Sequence, residues 1–340
     1  MELFFPFLLI IFASVFQGSF GLGMKYMEPL KWESWWLIHV TIAMIIIPVT
    51  WAFIVVPDFA LVLKEAFTNP DLSTVVYSAM FFGFLWGIGG ILFGVSVPYI
   101  GLSLTMGIVM GLAGSVGALI PFFQMENAIE SVQFPYVISG LIITLIGVAL
   151  TAKAGIDKDK LVNSNEGEKS SIVKGISIAV ACGILSALLN VGFVKATPIA
   201  ELAERFGSIE RNASLAAWVI VLLGAFLMNA GYAIFLLFKN NTWYNFKVNQ
   251  SAKSYKWAIL SSVFWFGALG VYGQGAALIG PIGQVIGWPM LLGLSLIVSN
   301  FWAYKAGEWQ NAKKPFRILF FGLVILILAS VVLGYSNSVT

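Results

Sequence analysis

Ten runs of apolar sequence, each long enough to cross a bilayer, decide what this chain can become. A membrane-spanning helix needs about 20 apolar residues. Such runs fall at roughly 3–24, 34–56, 73–97, 99–122, 134–152, 173–196, 213–238, 256–279, 281–303 and 315–335. Only 10% of the 340 residues are charged, against roughly 25% in a soluble domain. Inside hydrocarbon every backbone N–H and C=O must be satisfied within its own helix or in a closed barrel. Runs of this length therefore predict an all-α polytopic membrane protein with ten transmembrane helices. The first run opens Met-Glu-Leu-Phe-Phe-Pro-Phe, without a basic leader, so it is expected to stay as a span.

Charge placement predicts orientation. Of the 19 basic residues, all but Lys64, Lys195, Arg205 and Arg211 lie in or beside the loops after spans 1, 3, 5, 7 and 9. The positive-inside rule makes those loops cytoplasmic and puts both termini outside the cytoplasm. The polar stretch 153–172 reads as a flexible linker, and Ala200–Phe206 as a short surface helix.

An internal repeat is also legible. A shift of 179 aligns Trp86 with Trp265, Gly94 with Gly273, and Ile100-Gly101 with Ile279-Gly280; a shift of 182 aligns Glu126 with Glu308 and Gly140-Leu141 with Gly322-Leu323. Spans 1–5 (1–152) thus resemble spans 6–10 (173–340). Because five is odd, the halves insert with opposite orientation. A 5+5 inverted repeat marks an alternating-access secondary transporter with its substrate held between the halves. Glycines 83, 87, 90 and 94 share one helical face of span 3, and glycines 107, 111, 114 and 117 repeat the spacing in span 4. Such stripes predict close helix packing, with the turn between the two spans at Pro98-Tyr99.

The sequence holds one cysteine, Cys182, and one histidine, His39. That argues against a disulfide or a multi-histidine metal site. No nucleotide-binding loop or nucleophile elbow is present, so neither a cofactor nor ATP is expected. A membrane enzyme acting on a lipid-linked substrate would need paired acids, and the acids here are isolated. Ionisable residues cluster instead at the edges of spans 1 and 2, where Lys25, Glu33 and His39 are the candidates for proton coupling. Amides within spans are costly unless they face the bundle interior, which singles out Gln17, Asn190 and Gln274 as substrate contacts. A sugar offers an apolar CH face to an aromatic ring and hydroxyls to amides, and pockets are built from such aromatic walls with a few polar groups. Trp86, Trp265 and Tyr272 are the aromatic candidates.

Four motifs carry a family resemblance. They are Phe82-Gly83…Trp86-Gly87-Ile88-Gly89…Gly94…Tyr99-x-Gly101-x-Ser103…Gly107-Ile108…Gly111; Glu308-Trp309-x-Asn311-Ala312 with Lys313-Lys314; Lys31-Trp32-Glu33-x-x-Trp36; and Cys182-Gly183-Ile184-x-Ser186-Ala187. In them the chain resembles the L-rhamnose–proton symporter family of the drug/metabolite transporter superfamily. The resemblance implies ten helices in a 5+5 inverted repeat and a central cavity lined by spans 1, 3, 4, 6, 8 and 9. It also implies proton-coupled uptake of L-rhamnose or a related sugar across a bacterial inner membrane. The expected partners are then a small sugar, protons and the bilayer, with no nucleic acid. The competing expectation is an exporter or exchanger of another small metabolite.

Overall fold

The computed structural model describes residues 4–162 and 172–339. The first apolar run becomes α1 (Phe5–Ser19), which tightens into a 3₁₀ segment, Phe20–Tyr26. The second is a composite of α2 (Trp32–Thr41), a π-helical turn (Ile42–Ile46) and α3 (Ile47–Val55). The wide turn sits just ahead of Pro48, whose missing N–H already interrupts the ordinary ladder. Then follow α4 (Phe59–Thr68), α5 (Pro70–Ile100), α6 (Leu102–Gln124) and α7 (Phe134–Val162). The second half supplies α8 (Ile172–Lys195), α9 (Thr197–Arg205), α10 (Glu210–Lys239), a 3₁₀ segment (Trp243–Lys247), α11 (Ala252–Ile279), α12 (Gly283–Lys305) and α13 (Lys313–Ser336). No strand occurs among the described residues, and ten helical segments are long and apolar enough to span a membrane. The protein is all-α and multi-pass, as the hydropathy pattern predicts.

Three local features differ from the sequence expectation. The turn between the third and fourth spans lies at Gly101, not Pro98-Tyr99. The helix absorbs Pro98 and stops where Gly101 takes φ +79°, a region that side chains disfavour. Gly280, which the 179-residue shift aligns with Gly101, ends α11 with φ +91°. Second, α7 does not stop at residue 152 but continues through the start of the polar stretch to Val162. Ala154 is buried there with Trp309, Ala312 and Leu319, and Lys153 pairs with Asp157 one turn on at 3.3 Å. The rest of the predicted linker, 163–171, lies outside the described residues. Third, the connection between spans 2 and 3 holds a helix of its own, α4. It buries Phe59, Val62 and Ala66 and leaves Lys64 exposed, which is an amphipathic pattern. The expected surface helix is present as α9.

The chain folds as two compact units. One comprises Met1–Gly87 with Val191–Gly280, the other Ile88–Asn190 with Pro281–Thr340. Each draws on both halves of the sequence. In the first unit α1 lies along α11, and α10 packs on α11, α9 and α2. Glycine sets these approaches: a Cβ on Gly83 would collide with the Val221 carbonyl, and one on Gly224 with that of Met80. In the second unit α13 lies along α7, and α6 packs on α7 and α12. Side chains of Leu326 and Leu333 fill the spaces beside Gly147 and Gly140. Without a hydrophobic drive between helices in lipid, close contact through small residues is what holds such pairs together.

Candidate functional site

In the first unit a group of buried polar and aromatic side chains gathers around α2. This helix presents Trp35, Trp36 and His39 in adjacent positions of one face, because residues three and four apart are neighbours on a helix. His39 is only 1% exposed. Its imidazole stacks on Trp35 (5.3 Å between centroids, 13° between planes), tilts against Trp36 (5.1 Å), and meets Phe20 at 6.5 Å and the edge of Trp265 at 6.2 Å. Four rings thus enclose the chain's one histidine. From α11, Ser262 Oγ lies 3.1 Å from Nδ1, 3.1 Å from the His39 carbonyl and 2.7 Å from the Ala258 carbonyl.

The aromatic group extends outward from His39. Trp265 meets Trp86 of α5 at 5.6 Å, with the rings tilted by 34°. These are the two tryptophans that the 179-residue shift aligns, and they are in contact. Trp265 is buried and Trp86 half-buried, which leaves Trp86 able to offer ring surface. Trp36 Nε1 donates to Asn229 Oδ1 at 3.2 Å, and Asn229 Nδ2 donates back to the Ala225 carbonyl of its own helix. The absent side chain of Gly87 makes room for Met228 and Asn229 at this crossing. Ser262 is a site member that sequence reasoning did not name, and Trp36 entered it only through the Lys31-Trp32-Glu33-x-x-Trp36 motif. Asn229 carried a signal as an amide inside a span. Ser262 carried none, since serines commonly bond back to the i−4 carbonyl within helices.

The other predicted residues fall elsewhere. Glu33 is buried at the start of α2, where its Oε1 accepts Thr242 Oγ1 (2.7 Å) and Asn240 Nδ2 (3.2 Å). It fastens the 240–242 turn to α2. Nearby, the Lys31 backbone N–H donates to Asn245 Oδ1, and Asn245 Nδ2 donates to the Pro29 carbonyl. Lys25 is exposed in the last turn of the first 3₁₀ segment. Tyr272 is wholly buried in a different aromatic group, against Phe193 and Trp218, which stack at 4.2 Å and 7°. Gln274 Nε2 reaches Asn212 Oδ1 at 3.5 Å. Gln17 is half-buried, and its Oε1 has no hydrogen-bond partner among the described residues.

Asn190 belongs to the second unit, and its task there is legible in covalent terms. Pro121 has no N–H, so within α6 the carbonyl of Gly117 loses its i+4 donor. Asn190 Nδ2 supplies that bond at 2.9 Å and also donates to the Gln284 carbonyl at 3.2 Å. Trp288 Nε1 donates to the Ala113 carbonyl at 3.0 Å on the same side of α6. Among the described residues no group of three His, Cys, Asp or Glu side chains converges as a metal site would.

The chain also matches known proteins. The family model described as L-rhamnose-proton symport protein (RhaT) matches residues 4–338. Among individual relatives, the chain is similar to the L-rhamnose-proton symporter of Mannheimia succiniciproducens, 28% identical over 327 residues, covering 93% of each chain. It is similar to that of Citrobacter koseri, 27% identical over 334 residues, covering 95% of this chain and 93% of the relative. The L-rhamnose-proton symporter of Yersinia pestis is 26% identical over the same length, with the same coverage.

Proposed function

This chain belongs to the L-rhamnose-proton symport protein family, and on that premise we propose that it is a secondary transporter importing a monosaccharide, L-rhamnose or a close relative, together with protons. It is a transporter and not an enzyme. The observation that carries this reading is the family match over 4–338, end to end across ten spanning helices. The inner membrane of a bacterium is its proposed location, with both termini on the non-cytoplasmic face. Residues 1–152 and 173–340 act as the two inverted repeats whose rocking exposes the site to one side and then the other. Sugar and proton are coupled because each binds one orientation better than the other.

Within the site, Trp86 and Trp265 are the proposed platform for the apolar face of the sugar ring. Their contact at 5.6 Å, next to the enclosed His39, supports that assignment. Gln17, with an unmatched carbonyl oxygen, is the proposed partner of a sugar hydroxyl, and Gln274 a second. Asn190 and Tyr272 serve packing, to judge from the hydrogen bonds and rings that engage them. His39, Glu33 and Lys25 are the groups among which proton coupling is sought. Proteoliposomes settle the matter: labelled L-rhamnose accumulates under an inward-directed proton gradient and a protonophore abolishes the accumulation. Uptake indifferent to the gradient leaves a facilitator only, and no uptake of any pentose, hexose or deoxyhexose overturns the sugar reading.

A further inference from the structure

The three groups are not equally placed to carry a proton. Glu33 commits one carboxylate oxygen to two donors from the 240–242 turn, and Lys25 is exposed. His39 is different because its two ring nitrogens have different surroundings. Ser262 has a single hydroxyl hydrogen. Two carbonyls, of Ala258 at 2.7 Å and His39 at 3.1 Å, compete for it, and the shorter contact to Ala258 takes it. The serine oxygen then faces Nδ1 with its lone pairs, which favours the tautomer in which Nδ1 carries the hydrogen and donates it. In the neutral ring Nε2 is therefore the lone-pair nitrogen. The polar groups against the ring among the described residues are Ser262, at Nδ1, and the Ala258 backbone.

The walls around the ring suit a charge that comes and goes. Among the described residues, no charged side chain is in contact with the imidazole. It is met by Trp35 and Trp36 from its own helix, Phe20 from the 3₁₀ segment, and Ser262 and Trp265 from α11. On the elements packed there, Lys25, Lys239, Lys253 and Lys256 are exposed, and Glu33 is occupied as described. A permanent counter-ion would hold the ring protonated throughout the cycle. Tryptophan faces at 5.1–5.3 Å instead attract an imidazolium without binding it covalently or neutralising it.

We propose that His39 Nε2 takes up and releases the coupled proton, and that Ser262 is its positioning residue, holding Nδ1 protonated so that Nε2 presents the lone pair. In the step, a proton passes from water on the side of higher proton concentration to Nε2. The cationic ring keeps its Nδ1–H bond to Ser262, and the same proton leaves Nε2 for water on the other side. This assignment rests on the symport reading above.

The test uses purified full-length protein in liposomes with labelled L-rhamnose. Wild-type accumulation under a proton gradient comes first, and its absence defeats symport rather than the role of His39. Given a coupled wild type, His39→Gln is expected to lose accumulation, the inside-to-outside ratio falling to one, while counterflow exchange persists. Ser262→Ala is expected to move the pH of half-maximal uptake about half to one unit toward acid, because the Nδ1–H bond it removes is stronger to the cationic ring than to the neutral one. Ser262→Thr restores it. Accumulation by His39→Gln at the wild-type level overturns the proposal. So does a Ser262→Ala pH profile that coincides with the wild type, which decides the case if His39→Gln also loses exchange.

Discussion

At the scale of single residues, the two tryptophans and the one asparagine that sequence reasoning favoured have separated into different trades. Trp86 is half-buried and touches Trp265. Removing its ring by Trp86→Ala is expected to raise the KM for sugar about tenfold, a loss of ~1.4 kcal/mol, with little change in melting temperature. Equal KM values in the two proteins would remove Trp86 from the site. Asn190 should behave in the opposite way. Its amide serves the carbonyl that Pro121 orphans, and leaving a buried carbonyl unsatisfied costs about 1–3 kcal/mol. Asn190→Ala should therefore lower thermal stability and leave KM alone, which a thermal melt and an uptake titration on the same preparation would check. The amide itself was readable as interior from the sequence. Its partner was not, because Gly117 and Asn190 are 73 residues apart and no periodicity encodes a side-chain bond across that distance. The same holds for Ser262, which looks like any helical serine until α11 is laid against α2.

At the scale of elements, the glycine stripe of α5 needs redrawing. Spacing put Gly83, Gly87, Gly90 and Gly94 on one face, and the helix does so. Yet only the first two meet a neighbour: Gly83 faces the backbone of α10 at Val221 and Gly87 faces Met228, whereas Gly90 and Gly94 have nothing within 4 Å. Added methyl groups should therefore have opposite effects along one stripe. Gly83→Ala forces α5 off α10, an overpacking cost of about 1–3 kcal/mol, and should lower the melting temperature. Gly90→Ala meets open space and gains up to about 1 kcal/mol of helix propensity, so its melting temperature should hold or rise. Like effects from the two would show that the α5–α10 crossing is looser than drawn. Helix spacing was thus fully legible in sequence, and what each glycine faces was not, since that depends on which distant helix arrives. Turn position follows a similar rule. Proline at 98 suggested the break, but α5 runs through it and the chain turns where Gly101 takes φ +79°, which ends a helix and suits glycine.

At the scale of the whole molecule, the distribution of charge makes a prediction that contacts cannot. With all but four of the basic residues in or beside alternate loops, both termini are expected outside the cytoplasm. Alkaline phosphatase, active only outside, should be active when fused after Thr340, and a fluorescent protein that folds only in the cytoplasm should stay dark there. Reversed signals would invert the whole topology. The ten spans were legible because each answers to hydrocarbon residue by residue. The partition into two units was not, because it follows from pairings remote in sequence. That remoteness bears on how the protein is made. His39 and Ser262 are 223 residues apart, and Phe20 and Ser261, which also bond, are 241 apart. Synthesis runs from the N-terminus, so α1 and α2 enter the bilayer long before α11 leaves the ribosome. Until then the imidazole has no serine, Trp86 has no Trp265, and the first two spans lie in lipid with their future partners unmade. A ribosome stalled within the 163–171 stretch would leave a nascent chain that crosses the membrane and yet lacks every contact its only histidine makes with α11. Release of the last third of the chain is what closes the ring of tryptophans.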